Sequence, residues 1–373
     1  MLKLTLLVSS VWFPTILIKS GVIRLPHIPT TRSTTTHRIT STPANQTDQT
    51  NTLIHSDHIS THCRNKRHYA SKAEERKRWK IFRDNLHYIE RLNANHTIQS
   101  YYNSNNIDSD SNTSNQTTAI FGITKFADCT DKELEQMAMK LPKQYHDDSV
   151  ALAFAEEVGA PLPVDFDWRS RSVVTPVRDQ DKCNSCWAFA AVAVIETFWA
   201  IKTGQMQDLS EQELIDCDIN SDGCRYGYPA TAYLVAERKG MLHESKLPYM
   251  DSRGPECPKQ NGSVFVKSIQ KIKSNAHAIA DYVYNYGPVS VNFRVTMPFY
   301  HYTVGIFRPS PDECNRSNRY HVMTIVGFGQ VADQPYWILK NSWGTNWGDE
   351  GYIRFAKGEN ACGIEDFPYS IQL

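Results

Sequence analysis

A surplus of charge is what this 373-residue sequence lacks first: Lys+Arg and Asp+Glu both number 40, so the formal net charge is zero. Without a surplus there is no global field to gather nucleic acid or an anionic membrane. Nor is there a basic stripe with interleaved aromatics, so nucleic acid is not an expected partner. Beyond the first twenty residues the chain lacks any apolar run long enough to cross a bilayer. It also lacks the second Cys or His pair that a structural zinc site needs, so neither metal nor cofactor is expected. Hydrophobic content of 40% and charged content of 21% still describe a soluble protein able to bury a core. The length suggests roughly two domain-sized units.

What is present begins with a compartment signal. Lys3 precedes an apolar run from Leu4 to Ile18, broken only by Thr5, Ser9, Ser10, Pro14 and Thr15. The run is shaped like a signal-peptide core, with a cut expected near Ser20; an uncleaved anchor is the alternative. Asn45, Asn95, Asn112, Asn115, Asn261 and Asn315 each open an Asn-x-Ser/Thr sequon. Together with a leader, they fit passage through an oxidising compartment. Residues 21–68, rich in Thr, Ser, His, Asn and Pro, read as a low-complexity segment.

From Ala73 the character changes. Glu74, Arg78, Phe82, Asn85, Ile89 and Asn93 are spaced by 4, 4, 3, 4 and 4 residues, which puts all six on one helical stripe. Alone, that predicts a charged amphipathic helix seeking a partner surface. A polar insertion, Ser100 to Thr118, follows, then an alternating stretch from Phe121 to Asp128 that reads as a short strand. Thr130 to Glu133 reads as a polar helix start. The polar stretch from Lys140 to Gly159 ends at Pro161-Leu-Pro163. The expected division is a leader 1–20, the segment 21–68, a pro-segment 69–160 and a compact domain 161–373.

Inside that domain Ser185 to Thr203 is apolar on nearly every face and stops at Gly204, predicting a buried helix. Ser210 and Glu213 form a capping-box start. Strands are expected at Pro288–Val295, His321–Gly327, Tyr336–Lys340 and Gly351–Phe355. Helices first and strands afterwards predict an α+β fold with two subdomains.

Seven cysteines fall in this domain: 183, 186, 217, 224, 257, 314 and 362. Six can pair where disulfides form, and the odd one is either an intermolecular bridge or a reactive thiol. Cys186 is the candidate, because the first turn of a helix favours a thiolate. Cys183-Asn-Ser-Cys186 is also a C-x-x-C. A redox pair of that kind belongs in a βαβ unit, which the pattern does not show.

Gln180-Asp-Lys-Cys-Asn-Ser-Cys-Trp-Ala-Phe189 resembles the nucleophile segment of the papain family, and Asn341-Ser-Trp-Gly-Thr-Asn-Trp-Gly348 resembles its Asn segment. His321 lies 135 residues after Cys186, and Asn341 follows 20 later. The Glu74–Asn93 stripe is similar to the helical signature of cathepsin L-like (ERFNIN-type) propeptides at all six positions. Gly122-x-Thr124-x-Phe126-x-Asp128 resembles a second propeptide motif, with Thr where the family has Asn.

This resemblance implies a two-lobed fold with a helical left lobe, an antiparallel β-barrel right lobe and a mainly helical inhibitory prodomain. It implies a Cys-His-Asn endopeptidase, made as a zymogen, with Cys186 as nucleophile, His321 as acid and base, and Asn341 orienting His321. Trp343 would shield that pair from water, and Gln180 would donate into the oxyanion hole, where a donor is worth about 3 to 4 kcal/mol. Disulfides Cys183–Cys224, Cys217–Cys257 and Cys314–Cys362 are implied, while Cys63 and Cys129 are left unassigned. Tyr226, Gly227, Tyr228, Pro229, Val322, Trp343 and Phe367 are implied substrate-binding residues; Tyr226 stands where the family has glycine. The implied partners are protein and peptide substrates and the chain's own propeptide. A lysosomal or secreted monomer with no lasting membrane attachment is expected. An inactive homologue acting as a secreted binding protein is the alternative, and no catalytic residue is missing in the way it would require.

Overall fold

In a computed structural model the described residues are 69–103, 117–142, 152 and 154–373, with side chains described only up to 95 in the first segment. The expected leader, the 21–68 segment, Cys63, most of the 100–118 insertion and the sequons at Asn45, Asn112 and Asn115 lie outside them.

The six-residue stripe does lie along one helix, α1 (Lys72–Asn103). Its polar members bind the rest of the pro-segment. Arg78 takes Glu74 at 2.7 Å and both carboxylate oxygens of Glu133 at 2.6 and 2.8 Å. Asn85 donates to the carbonyls of Ala127 and Cys129, and Asn93 exchanges two hydrogen bonds with the Phe121 backbone. Phe82 and Ile89 are buried between them. Arg78, which also donates to the Asp128 carbonyl at 3.0 Å, Asn85 and Asn93 thus close backbone groups that a short irregular segment cannot close for itself. That segment is less regular than its alternation suggested. Only Ile120–Phe121 form a strand, β1, and the chain turns at 125–128. The cause is local: the Thr124 hydroxyl leaves to bond the Tyr300 carbonyl at 2.7 Å, and Phe126 is buried. Thr130 and Glu133 then close a full capping box on α2 (Asp131–Gln136).

The helical lobe is built on α3 (Cys186–Thr203), which ends on Gly204 in the left-handed conformation and buries 14 of its 18 residues. Burial of a Trp187- or Phe189-sized side chain contributes about 2 to 3 kcal/mol. Beside it pack α4 (Glu211–Cys217) and α5 (Pro229–Lys239). The Ser210 hydroxyl caps Glu213 N, but the Glu213 carboxylate does not return the bond; it takes Lys239 and the Leu242 N–H instead.

The second lobe is a sheet whose strands are β2 (Phe166–Asp167), β3 (Ser268–Lys271), β4 (Val289–Arg294), β6 (Ile306–Phe307), β7 (Tyr320–Val331), β8 (Gln334–Lys340), β9 (Tyr352–Ala356) and β10 (Tyr369–Gln372). The order is β3-β10-β4-β7-β8-β9-β6, with β2 on β7; every pair is antiparallel except β6 with β9. The pro-segment adds a separate ribbon, since β1 pairs with β5 (Tyr302–Val304) of this lobe. In register, β4 sets Phe293 opposite His321, and β8 sets Lys340 opposite Thr324. The Thr324 hydroxyl bonds the Ala190 carbonyl of α3 at 3.2 Å, so the sheet and α3 meet along β7. Three disulfides are present among the described residues: Cys183–Cys224, Cys217–Cys257 and Cys314–Cys362.

Candidate active site

The meeting line of α3 and β7 collects chemistry because three chain segments end there. Cys186 is the first residue of α3, His321 is the second of β7, and Asn341 is the first residue after β8. Asn341 Oδ1 accepts from Ser342 N at 2.8 Å and lies 2.7 Å from His321 Nε2. An oxygen cannot donate, so Nε2 carries the proton and Nδ1 keeps its lone pair. Nδ1 has no hydrogen-bond partner among the described residues. The Trp343 ring lies 4.5 Å from the imidazole and covers this pair.

Gln180 is buried and held at four points. Its N–H donates to Ser342 O, its Oε1 accepts from Ser342 Oγ, its Nε2 donates to Cys183 O at 2.7 Å, and its carbonyl accepts from Tyr249. Cys183 is in turn fixed to Cys224. Gly227 is packed under Trp187, where a Cβ would sit 2.2 Å from the indole, so glycine is required there for packing. The Tyr226 and Tyr228 rings meet at 5.9 Å with their planes tilted by 52°, Pro229 opens α5, and Val322 is buried beside His321. Phe367 sits half-buried before β10, and no ring contact or hydrogen bond among the described residues joins it to Tyr226 or Tyr228.

The pro-segment closes the site. Met139 bridges to Tyr320, Asn184 donates to the Gln136 carbonyl, and Lys125 grips both carboxylate oxygens of Asp179, the neighbour of Gln180. Phe126 stands edge-on to Trp343 at 4.8 Å. Cys186 is only 1% exposed, and His321 is 0% exposed. Burial pushes the Cys186 thiol up to about 12, offset in part by the N–H groups of Val322, Trp187 and Cys186 itself. Burial also pulls His321 down to about 4, against the bond to Asn341. A helix start by itself favours a thiolate at Cys186; in the closed chain both Cys186 and His321 are neutral, because neither ion is solvated.

Sequence reasoning missed a buried charge cluster behind the pair. Arg178 binds Glu196 at 2.8 Å, Glu211 at 2.5 Å and also Asp208, while Lys340 donates to Thr175, which donates to Glu196. Burial lowers Lys340 to about 8 and raises Glu211. The cluster borders a cavity of about 20 Å³, room for one water, that reaches Asn341 and Val322. Its signal was legible: Glu196 is the only acid in an otherwise apolar helix, and Lys340 directly precedes Asn341.

Comparison with known proteins adds an independent line. Residues 162–371 match the family described as Papain family cysteine protease, and residues 63–134 match the Cathepsin propeptide inhibitor domain (I29). Cathepsin F of Drosophila melanogaster is 33% identical over 82% of this chain, which spans 48% of that protein's length. A cathepsin L-like proteinase of Phaedon cochleariae is 33% identical over 83% of this chain and 90% of its own. Among solved structures, the digestive procathepsin L2 proteinase from Tenebrio molitor larval midgut superposes with a TM-score of 0.73 at 27% identity, covering 86% of this chain and 99% of that one.

Proposed function

The chain belongs to the papain family of cysteine proteases and carries a cathepsin propeptide inhibitor domain, and on that premise we propose a cathepsin L-like endopeptidase made as a zymogen with an ERFNIN-type propeptide. The observation that carries the assignment is the His321 ring, locked by Asn341 through Nε2, with the Nδ1 lone pair free. Cys186 lies beside the N–H of Val322, the next residue along.

In this reading, removal of the pro-segment returns water to the site. The thiol pKa falls, the imidazole pKa rises, and the proton moves from Cys186 to His321. The thiolate attacks the scissile carbonyl, and the resulting oxyanion is held by Gln180 Nε2 and the Cys186 N–H. His321 protonates the departing amine, then takes a proton from the water that hydrolyses the thioester. Asn341 keeps the ring in its tautomer, and Trp343 keeps water from that bond. Tyr226, Gly227, Tyr228, Pro229, Val322 and Phe367 line the substrate cleft. Cys224 to Cys257 spans 33 residues with no His-rich insertion, which supports an endopeptidase.

The division at 1–20, 21–68, 69–160 and 161–373, a monomeric state and a lysosomal or secreted location complete the proposal. Its test is hydrolysis of dibasic and hydrophobic-P2 peptides by matured protein, with a thiol-directed epoxide and a Cys186→Ala control. Hydrolysis that survives in Cys186→Ala refutes the assignment.

A further inference from the structure

Tyr249 lies in the loop after α5 and belongs to no helix or strand. Its hydroxyl donates to the Gln180 carbonyl at 2.6 Å and meets Ser185 Oγ at 3.0 Å, while its ring stands edge-on to Phe189 at 5.0 Å. A phenol has one proton, so at the second contact Ser185 is the donor. One hydroxyl therefore joins Gln180 to the residue directly before Cys186.

The position of Ser185 gives this tie its consequence. A serine at a helix N-cap ordinarily turns its oxygen onto the first-turn N–H groups. Ser185 is the N-cap residue of α3 and makes no such bond. The Ala188 and Phe189 N–H groups are satisfied by the Ser185 carbonyl, and those of Cys186 and Trp187 are left facing the Cys186 sulfur. Had the serine capped the helix, its hydroxyl would compete for the Trp187 N–H, one of the donors facing the sulfur.

We propose that Tyr249 is a positioning residue for the oxyanion hole: it draws Ser185 off the helix end and anchors Gln180, so both donors stay aimed at the reacting carbonyl. The proposal rests on the proteolytic reading above. Tyr249 touches no substrate; it acts through Gln180 and Ser185.

Tyr249→Phe keeps the ring against Phe189 and removes only the hydroxyl. In matured protein kcat on a hydrophobic-P2 peptide amide should fall roughly tenfold, less than complete loss of a donor, with KM within about twofold. The pH midpoint for alkylation of Cys186 by iodoacetamide should rise by roughly half a unit, because Ser185 then competes for one of the thiolate's N–H donors. The thermal midpoint should barely move. If Tyr249→Phe does not fold, Ser185→Ala reads the same tie through the opposite effect on alkylation: an unchanged or lowered midpoint.

Unchanged kcat and alkylation midpoint in Tyr249→Phe overturn the proposal. So does a kcat loss that comes with a lower thermal midpoint and an unchanged alkylation midpoint, since that marks a structural role. Wild-type protein with no epoxide-sensitive hydrolysis overturns the proteolytic reading alone, because alkylation of Cys186 still reports on Tyr249.

Discussion

Met139 of the pro-segment and Tyr320 of the enzyme exchange main-chain hydrogen bonds in both directions, Met139 N to Tyr320 O at 2.9 Å and Tyr320 N to Met139 O at 2.8 Å. Tyr320 directly precedes His321, so this segment is paired, backbone to backbone, at the start of β7. Such pairing uses backbone groups that every residue but proline carries.

Met139→Pro removes one donor of that pair and leaves the Tyr320 carbonyl unsatisfied, at a cost of about 1 to 3 kcal/mol. The uncleaved precursor should therefore leak activity on a small peptide substrate at neutral pH, by roughly tenfold over wild type. Equal leakage from both precursors would show that the bridge does not hold the segment.

His301 gives the closed form a pH dependence. It sits under α1, with Tyr88 edge-on at 6.0 Å and Gly122 N bonded to its carbonyl, and its Nδ1 has no partner among the described residues. Burial alone lowers it to about 4. The charged groups that act on neighbouring Tyr88 are Arg91 of α1, Asp131 of α2, and Glu313 and Arg316 of the helix Pro311–Arg316. A histidine buried in the neutral form stabilises closure fully above about pH 6.5, and that stability drains away as pH falls towards 4. His321 is lowered in the same way and adds the same slope. His301→Phe should thus flatten, by about half, the fall in precursor thermal midpoint between pH 6.5 and 4. A slope identical to wild type rules His301 out as a sensor.

Glu133 behaves in the opposite sense. The Arg78 guanidinium, then the Thr130 cap, hold its carboxylate at about 2. That contribution is complete above about pH 4.5 and is lost as pH falls towards 2, below the range where the histidines act. Because the pair is partly exposed, Arg78→Met should cost only about 1 to 2 kcal/mol of precursor stability, read by urea titration at pH 7. It should leave the thermal midpoint of the matured enzyme unchanged.

Glu211 is held towards its protonated form by burial, next to an Arg178 already shared with Glu196 and Asp208. Glu211→Gln should therefore be nearly neutral at pH 7, within about 1 kcal/mol, whereas Arg178→Met strands buried carboxylates and should cost about 3 to 5 kcal/mol. Denaturant midpoints of the two variants decide this; a reversed order refutes it.

Local decisions were legible in the residues themselves. The polar helix start at Thr130 and the left-handed Gly204 that ends α3 depend on neighbours within four positions, and short-range chemistry is what sequence patterns encode. At Ser210 only half of the expected capping box forms, because the Glu213 carboxylate turns to Lys239 and the Leu242 N–H. The six-residue stripe also predicted its helix, although its partner proved to be the pro-segment's own backbone at Phe121, Ala127 and Cys129. The stretch from Phe121 to Asp128 misled because alternation cannot say that Thr124 will bond a carbonyl 176 residues away.

The sequence alone determined which groups could do chemistry: a cysteine at a helix start, a histidine on a strand, an asparagine after the next one. Only the tertiary structure decided their state. Burial makes Cys186 and His321 neutral in the closed chain, because the ionised pair would lose more in hydration than it gains at the helix end.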